Sequence, residues 1–207
     1  MSKYKTHAGL SALVFALSAP HALADSASEL QKYLNTTQSL SASFTQSVRQ
    51  KSGKTENSTG QFQLVRPGKF KWVYAQPYNQ EIISNGQQVW LYDLDLAQVT
   101  IKPVSKALEA SPAAILTGNN NLSKSFDLKS LPSKNGLDWV ELSPKNKDGS
   151  FAQIRIGLSK GQLDRMELDD QFNQTTTIQF SKLQQNQPIA ASVFNFSPPK
   201  GADIIRE

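Results

Sequence analysis

The sequence contains no cysteine and only two histidines, His7 and His21. Both histidines fall in a stretch with the three parts of a secretory leader: a basic start at Lys3 and Lys5, an apolar run from Ala8 to Ala19, and a small-residue exit at Ala22-Leu23-Ala24. The reading is a cleaved leader over 1–24 and one mature domain over 25–207, starting at Asp25. With neither thiol nor imidazole in the mature chain, Ser-His-Asp and Cys-His triads and the usual zinc ligand sets are excluded. An exported chain without cysteine also forgoes disulfides, so its core must hold the domain unaided, which this length permits.

Other features are scarce too. Beyond the leader no apolar run approaches the roughly 20 residues that span a bilayer, and the residue at the cleavage point is Asp25, not the cysteine that carries acyl groups in a bacterial lipoprotein. The expectation is a soluble protein that is not membrane-anchored. Loss of Lys3 and Lys5 lowers the +5 charge of the full sequence by two, and the remaining lysines are scattered, so no nucleic-acid partner is expected. The acidic pairs, Asp93 with Asp95 and Asp169 with Asp170, fall in expected turns or at strand ends, where solvation explains them better than metal binding or acid–base chemistry. There is no glycine-rich phosphate loop and no nucleophile elbow. Neither an enzyme nor a cofactor or metal site is indicated.

What is present is mostly alternation. A first helix is expected from Ser28, as its cap, to about Thr37, with Leu30 and Leu34 one turn apart. From Ser39 the period becomes two, with Leu40, Ala42 and Phe44 on one face. Short alternating runs follow: Gln61 to Arg66, Lys69 to Tyr74, Glu81 to Ser84, Gln88 to Tyr92, Gln98 to Lys102, Trp139 to Leu142, Ala152 to Leu158, Leu163 to Leu168, Thr175 to Phe180 and Val193 to Phe196. Turn signals such as Pro67-Gly68, Asn85-Gly86 and Lys160-Gly161 separate some of them. The predicted fold is mainly β with a few helices: a strongly curved antiparallel sheet or incomplete barrel of about ten strands.

Ser111-Pro112-Ala113-Ala114-Ile115-Leu116-Thr117-Gly118 breaks the strand rhythm. Serine at the cap, proline at the first helical position and glycine past the end mark a short, almost wholly apolar helix. It could plug the barrel mouth or pack on the outer sheet face. Phe62, Leu64, Phe70, Trp72 and Tyr74 share a row with Arg66, whose buried charge would need hydrogen-bond partners. The orphaned carbonyls at the end of the apolar helix could supply them, making Arg66 a latch on a lid. Lys69 and Lys71 fall on the opposite, solvated face.

The segments Ser39 to Gln46 and Gly60 to Trp72, with its Arg66-Pro67 and Phe70-Lys71-Trp72, resemble the LolA family of periplasmic lipoprotein carriers. Gln76-Pro77, Ser84-Asn85-Gly86 with Trp90 and Tyr92, and Phe194 to Gly201 resemble it as well. The resemblance implies a helix-lidded incomplete barrel, with Arg66 as latch and Pro112, Ala113, Ala114, Ile115 and Leu116 as lid helix. It implies an acyl-chain cavity to which we assign Leu40, Ala42, Phe44, Phe62, Leu64, Phe70, Trp72, Tyr74, Ile82 and Met166. Ala113 and Ala114 stand where larger apolar residues are common in the family, which leaves the tightness of the lid open. The implied partners are acylated lipoproteins, an inner-membrane Lol ABC transporter and the outer-membrane receptor LolB. The protein is expected in the periplasm as a monomer. LolB shares the fold but is itself a lipoprotein, and a two-domain sensor needs more chain. A carrier or sensor of another hydrophobic ligand, such as a glycolipid or fatty acid, is the alternative.

Overall fold

The computed structural model describes residues 25–104, 112–117, 122–147 and 149–207. The expected leader, the flanking Ser111 and Gly118, and the side chains of Pro112 and Ala114 lie outside what is described.

Helix α1 (Ser26–Thr36) buries Leu30, Tyr33 and Leu34 along one stripe. Its cap is Asp25, whose carboxylate accepts from the Ser28 N–H at 3.3 Å, rather than Ser28 itself. An anion at that end also complements the helix dipole. Ser26 is buried, and its hydroxyl donates to the Trp139 carbonyl at 2.7 Å, fastening the start of α1 to the sheet.

Twelve strands form one sheet: β1 (Ser39–Arg49), β2 (Thr55–Val65), β3 (Lys69–Gln76), β4 (Gln80–Asn85), β5 (Gln88–Asp93), β6 (Gln98–Pro103), β7 (Phe126–Lys134), β8 (Leu137–Pro144), β9 (Phe151–Ser159), β10 (Gln162–Asp170), β11 (Thr175–Gln185) and β12 (Asp203–Arg206). The order is β12-β6-β5-β4-β3-β2-β1-β11-β10-β9-β8-β7, so two meanders are joined through β1 and β11. Only β12 runs parallel to its neighbour, β6. Helix α2 (Pro112–Thr117) lies in the connection between β6 and β7.

Two strands escape the sequence reading. In β7 the apolar alternation of Phe126 and Leu128 dissolves into exposed polar residues, and β12 is short and exposed throughout. Val193 to Phe196, expected as a strand, is instead part of a 3₁₀ turn (Ala191–Phe194) and the extended chain after it. Pro188, Pro198 and Pro199 bracket this segment and supply no ladder donors. Its aromatics cover the outer sheet face, where Phe196 lies 6.0 Å from Trp90 and 5.7 Å from Tyr92 between ring centroids.

Alternation sets the two faces. Leu40, Phe44, Phe62, Leu64, Phe70, Trp72, Ile156, Met166 and Phe180 point inward into one buried cluster with the stripe of α1. Lys71 points outward and pairs with Glu81 at 2.9 Å, as the solvated reading of that face required. Close packing inside has a backbone condition. Gly60 faces Phe44 across β1 and β2, and a Cβ there would stand 2.6 Å from the Phe44 ring and collide with the Val73 carbonyl.

The strand ends define two ends of the molecule. One carries α1, the β2–β3 link with Arg66, and the β8–β9–β10 starts and returns around Leu137 and Gln162. The other is formed by the loops at 50–54, 77–79, 94–97 and 171–174.

Candidate ligand-binding site

Arg66 stands one residue past the end of β2, in step with the inward row of Phe62 and Leu64. Its Nε donates to the Thr37 carbonyl at 2.8 Å and its guanidinium nitrogen to the Leu116 carbonyl at 2.6 Å. Thr37 closes α1 and Leu116 lies in the last turn of α2, and neither helix has a basic residue of its own in that turn. One guanidinium thus complements the negative ends of two helices. The α2 contact was foreseeable from the sequence, whereas the α1 contact was missed. The signal available for it was the missing basic residue at the end of α1.

Burial pushes the Arg66 guanidinium down from its ordinary value, and the nearby Tyr33 phenol pulls it back. The effect on Tyr33 is larger: burial raises its phenol to about 12, against the opposing pull of nearby groups that include Arg66. The Tyr33 hydroxyl is buried and completes no hydrogen bond among the described residues.

Helix α2 lies against β3 on the inner side of the sheet. Ala113, Ile115 and Leu116 are buried within the same cluster as Phe62, Phe70 and Trp72. The residues assigned to an acyl-chain cavity come together as well. Leu40, Ala42, Phe44, Phe62, Leu64, Phe70, Trp72 and Met166 are buried in this cluster, with Tyr74 and Ile82 packed against it. Trp72 is the hub, with ring centroids 4.6 Å from Phe44, 4.8 Å from Phe62 and 6.4 Å from Phe180.

Beneath α2 these side chains are buried together. At the other end a cleft of about 620 Å³ runs between Gln46, Val48 and Tyr74 on one wall and Phe151, Leu168 and Thr176 on the other. A second cleft of about 420 Å³ shares Gln46, Val48 and Tyr74 and opens toward Tyr78. Tyr78 and Phe172, on the rim loops, are 69% and 80% exposed. Gln46 and Val48 continue the inward parity of Leu40, Ala42 and Phe44, so the sequence could have found them. Their polarity or marginal burial near the strand end hid them.

A family model described as "Outer membrane lipoprotein carrier protein LolA" matches residues 35–197. The chain belongs to the LolA family. It is 41% identical over 199 residues to an outer-membrane lipoprotein carrier protein of Dechloromonas aromatica, covering 96% of each chain. It is 44% identical over 200 residues to a protein of that name from Cupriavidus pinatubonensis, covering 94% of this chain and 93% of the other. Among solved structures, an uncharacterized conserved protein from Thermus thermophilus aligns with a TM-score of 0.56 at 15% identity, covering 88% of this chain and all of the other. That likeness concerns the fold. The curved sheet around inward apolar residues is therefore the LolA architecture. No helix among the described residues is long and apolar enough to cross a membrane.

Proposed function

We propose that this member of the LolA family is a periplasmic lipoprotein carrier, synthesised with a leader over 1–24 and acting as the single domain 25–207. It takes up the acyl chains of outer-membrane-directed lipoproteins against Leu40, Ala42, Phe44, Phe62, Leu64, Phe70, Trp72, Tyr74, Ile82 and Met166. The cargo comes from an inner-membrane Lol ABC transporter and leaves to the receptor LolB, with no covalent step and no cofactor. The observation that carries this reading is the Arg66 bridge from the sheet to the Leu116 carbonyl, which holds an apolar helix over an apolar interior.

The energetics fit a carrier that must also release. Each buried methylene contributes about 0.8 kcal/mol, so one acyl chain gains on the order of 10 kcal/mol over water. Held at full strength, that would make release slow. Here the interior is already filled by its own aromatics and by Ile115 and Leu116 of α2. A chain entering must displace contacts of the same kind, and the returning helix competes with it. Net affinity is the difference between two large burials, and a receptor that need not displace a lid wins the cargo.

Arg66 sets that competition. Arg66→Leu removes both carbonyl contacts and weakens the closed form, so the variant should accept lipoprotein and then deliver it poorly to LolB. The check is a two-stage transfer assay, scoring soluble complex and then receptor-bound cargo. Efficient delivery by the variant contradicts the latch. Copurified lipid without lipoprotein, such as a free fatty acid or glycolipid, would point to a different cargo.

A further inference from the structure

We propose that the indole N–H of Trp72 is a ligand-binding donor that receives the carbonyl oxygen at the head of a bound acyl chain. The inference rests on the carrier reading above and adds to it a polar subsite within the apolar interior.

Trp72 is 2% exposed, and its Nε1 makes no hydrogen bond among the described residues. Buried indole N–H groups usually find a partner, and exceptions call for an explanation. Packing against Phe44, Phe62 and Phe180 accounts for the large ring but not for its donor, which none of those contacts uses. Among the described residues the other buried side-chain atom without a completed bond, the Tyr33 hydroxyl, belongs to α1 at the opposite end of the molecule.

Position gives the donor a meaning. Along β3 the inward residues run from Phe70, in the same cluster as α2, through Trp72 to Tyr74, which lines both open-end clefts. The Tyr74 hydroxyl donates to Gln46 Oε1 at 3.2 Å, so its proton is committed. The indole N–H is near enough to that hydroxyl to favour its charged form, yet stands outside full hydrogen-bond geometry. Polarity therefore falls in one step along the wall: the Gln46 amide and Tyr74 hydroxyl at the mouth, then the indole N–H with no completed bond among the described residues, then hydrocarbon.

An acyl chain has the matching profile. Whether attached as ester, thioester or amide, it begins with a carbonyl, which accepts and cannot donate, and continues as methylenes. Entering tail first from the open end, it lays its methylenes under α2 and brings its carbonyl to the Trp72 step. The attached head group is then left in the 620 Å³ cleft between Tyr74 and Phe151. The same donor discriminates by chemistry, since a chain without a carbonyl leaves the N–H as orphaned as before.

The test uses the mature protein and two synthetic diacyl lipopeptides, one ester-linked and one ether-linked with a methylene in place of each carbonyl. The wild type should bind the ester form about five- to tenfold more tightly, the range expected of one buried hydrogen bond. Trp72→Phe, which keeps the aromatic wall, should lose that preference. A ¹³C-labelled ester carbonyl should show its infrared band moved to lower frequency in the wild-type complex and not in the variant complex. Equal wild-type binding of the two lipopeptides, or the same preference in wild type and Trp72→Phe, overturns the subsite and leaves the carrier reading standing. If the wild type binds neither lipopeptide, both fall together. Should Trp72→Phe misfold, the wild-type comparison and the carbonyl band still decide.

Discussion

Tyr33 and Gly60 show how single residues hold the fold together and at what cost. The Tyr33 hydroxyl is buried with no completed hydrogen bond, and burial raises its phenol to about 12. The neutral phenol is thus the form the fold tolerates. Its contribution is fully present below the ordinary tyrosine value near 10 and is lost as pH rises from there through 12, a loss of about 2–3 kcal/mol at most. Tyr33→Phe keeps the packing and removes the orphaned oxygen, so it should leave stability unchanged or slightly raised at pH 7 and flatten the alkaline decline. Urea unfolding of both proteins at pH 7 and pH 11 checks this, and a wild-type curve parallel to that of the variant contradicts it. At Gly60 an added Cβ meets the Val73 carbonyl and the Phe44 ring, and backbone cannot yield as a side chain can. Gly60→Ala should therefore cost about 1–3 kcal/mol, seen as a melting temperature several degrees lower. An unchanged melting temperature would mean that the β1–β2 pair relaxes freely.

Among the elements, α2 is the one whose attachment matters most. Its six residues are too few to be a stable helix alone, so its place depends on Ala113, Ile115 and Leu116 packing inward and on the Arg66 bond to its last turn. Arg66→Leu should make the α2 amides exchange with solvent at least tenfold faster, while those of β2 and β9 keep their protection. Equal protection of α2 in both proteins would show that packing alone holds it. Much of this was legible in the sequence. Period-two runs located the strands of both meanders apart from β7, and Pro112 predicted the helix start. Arg66 stood out because a cation in an apolar row demands partners. The illegible parts have several causes. Asp25 displaces Ser28 as cap through local geometry at a boundary. β12 forms only because β6 offers a free edge, and the aromatics of 193–196 alternate like a strand yet cover a sheet face. Gln46 carries no hydrophobic signal although it faces the mouth. The burial of α2 against the inner cluster is a property of the packed whole.

On the scale of the whole molecule, the two ends divide the labour. Helix ends, Arg66 and the buried aromatic interior form one end, and two clefts with exposed Tyr78 and Phe172 form the other. A carrier needs this asymmetry, with one end to shelter hydrocarbon and one from which the protein part of the cargo can emerge. It also needs to remain a monomer while empty, since a second copy would block the mouth; sedimentation of the mature chain should give one species at the monomer mass at micromolar concentration. The central claim is tested most directly by incubating spheroplasts or inner-membrane vesicles that hold a radiolabelled outer-membrane lipoprotein with the purified mature chain and ATP. The account predicts that lipoprotein appears in the soluble fraction as a complex with this protein, and only when this protein is added. If a competent transporter releases nothing in its presence, the carrier account is contradicted.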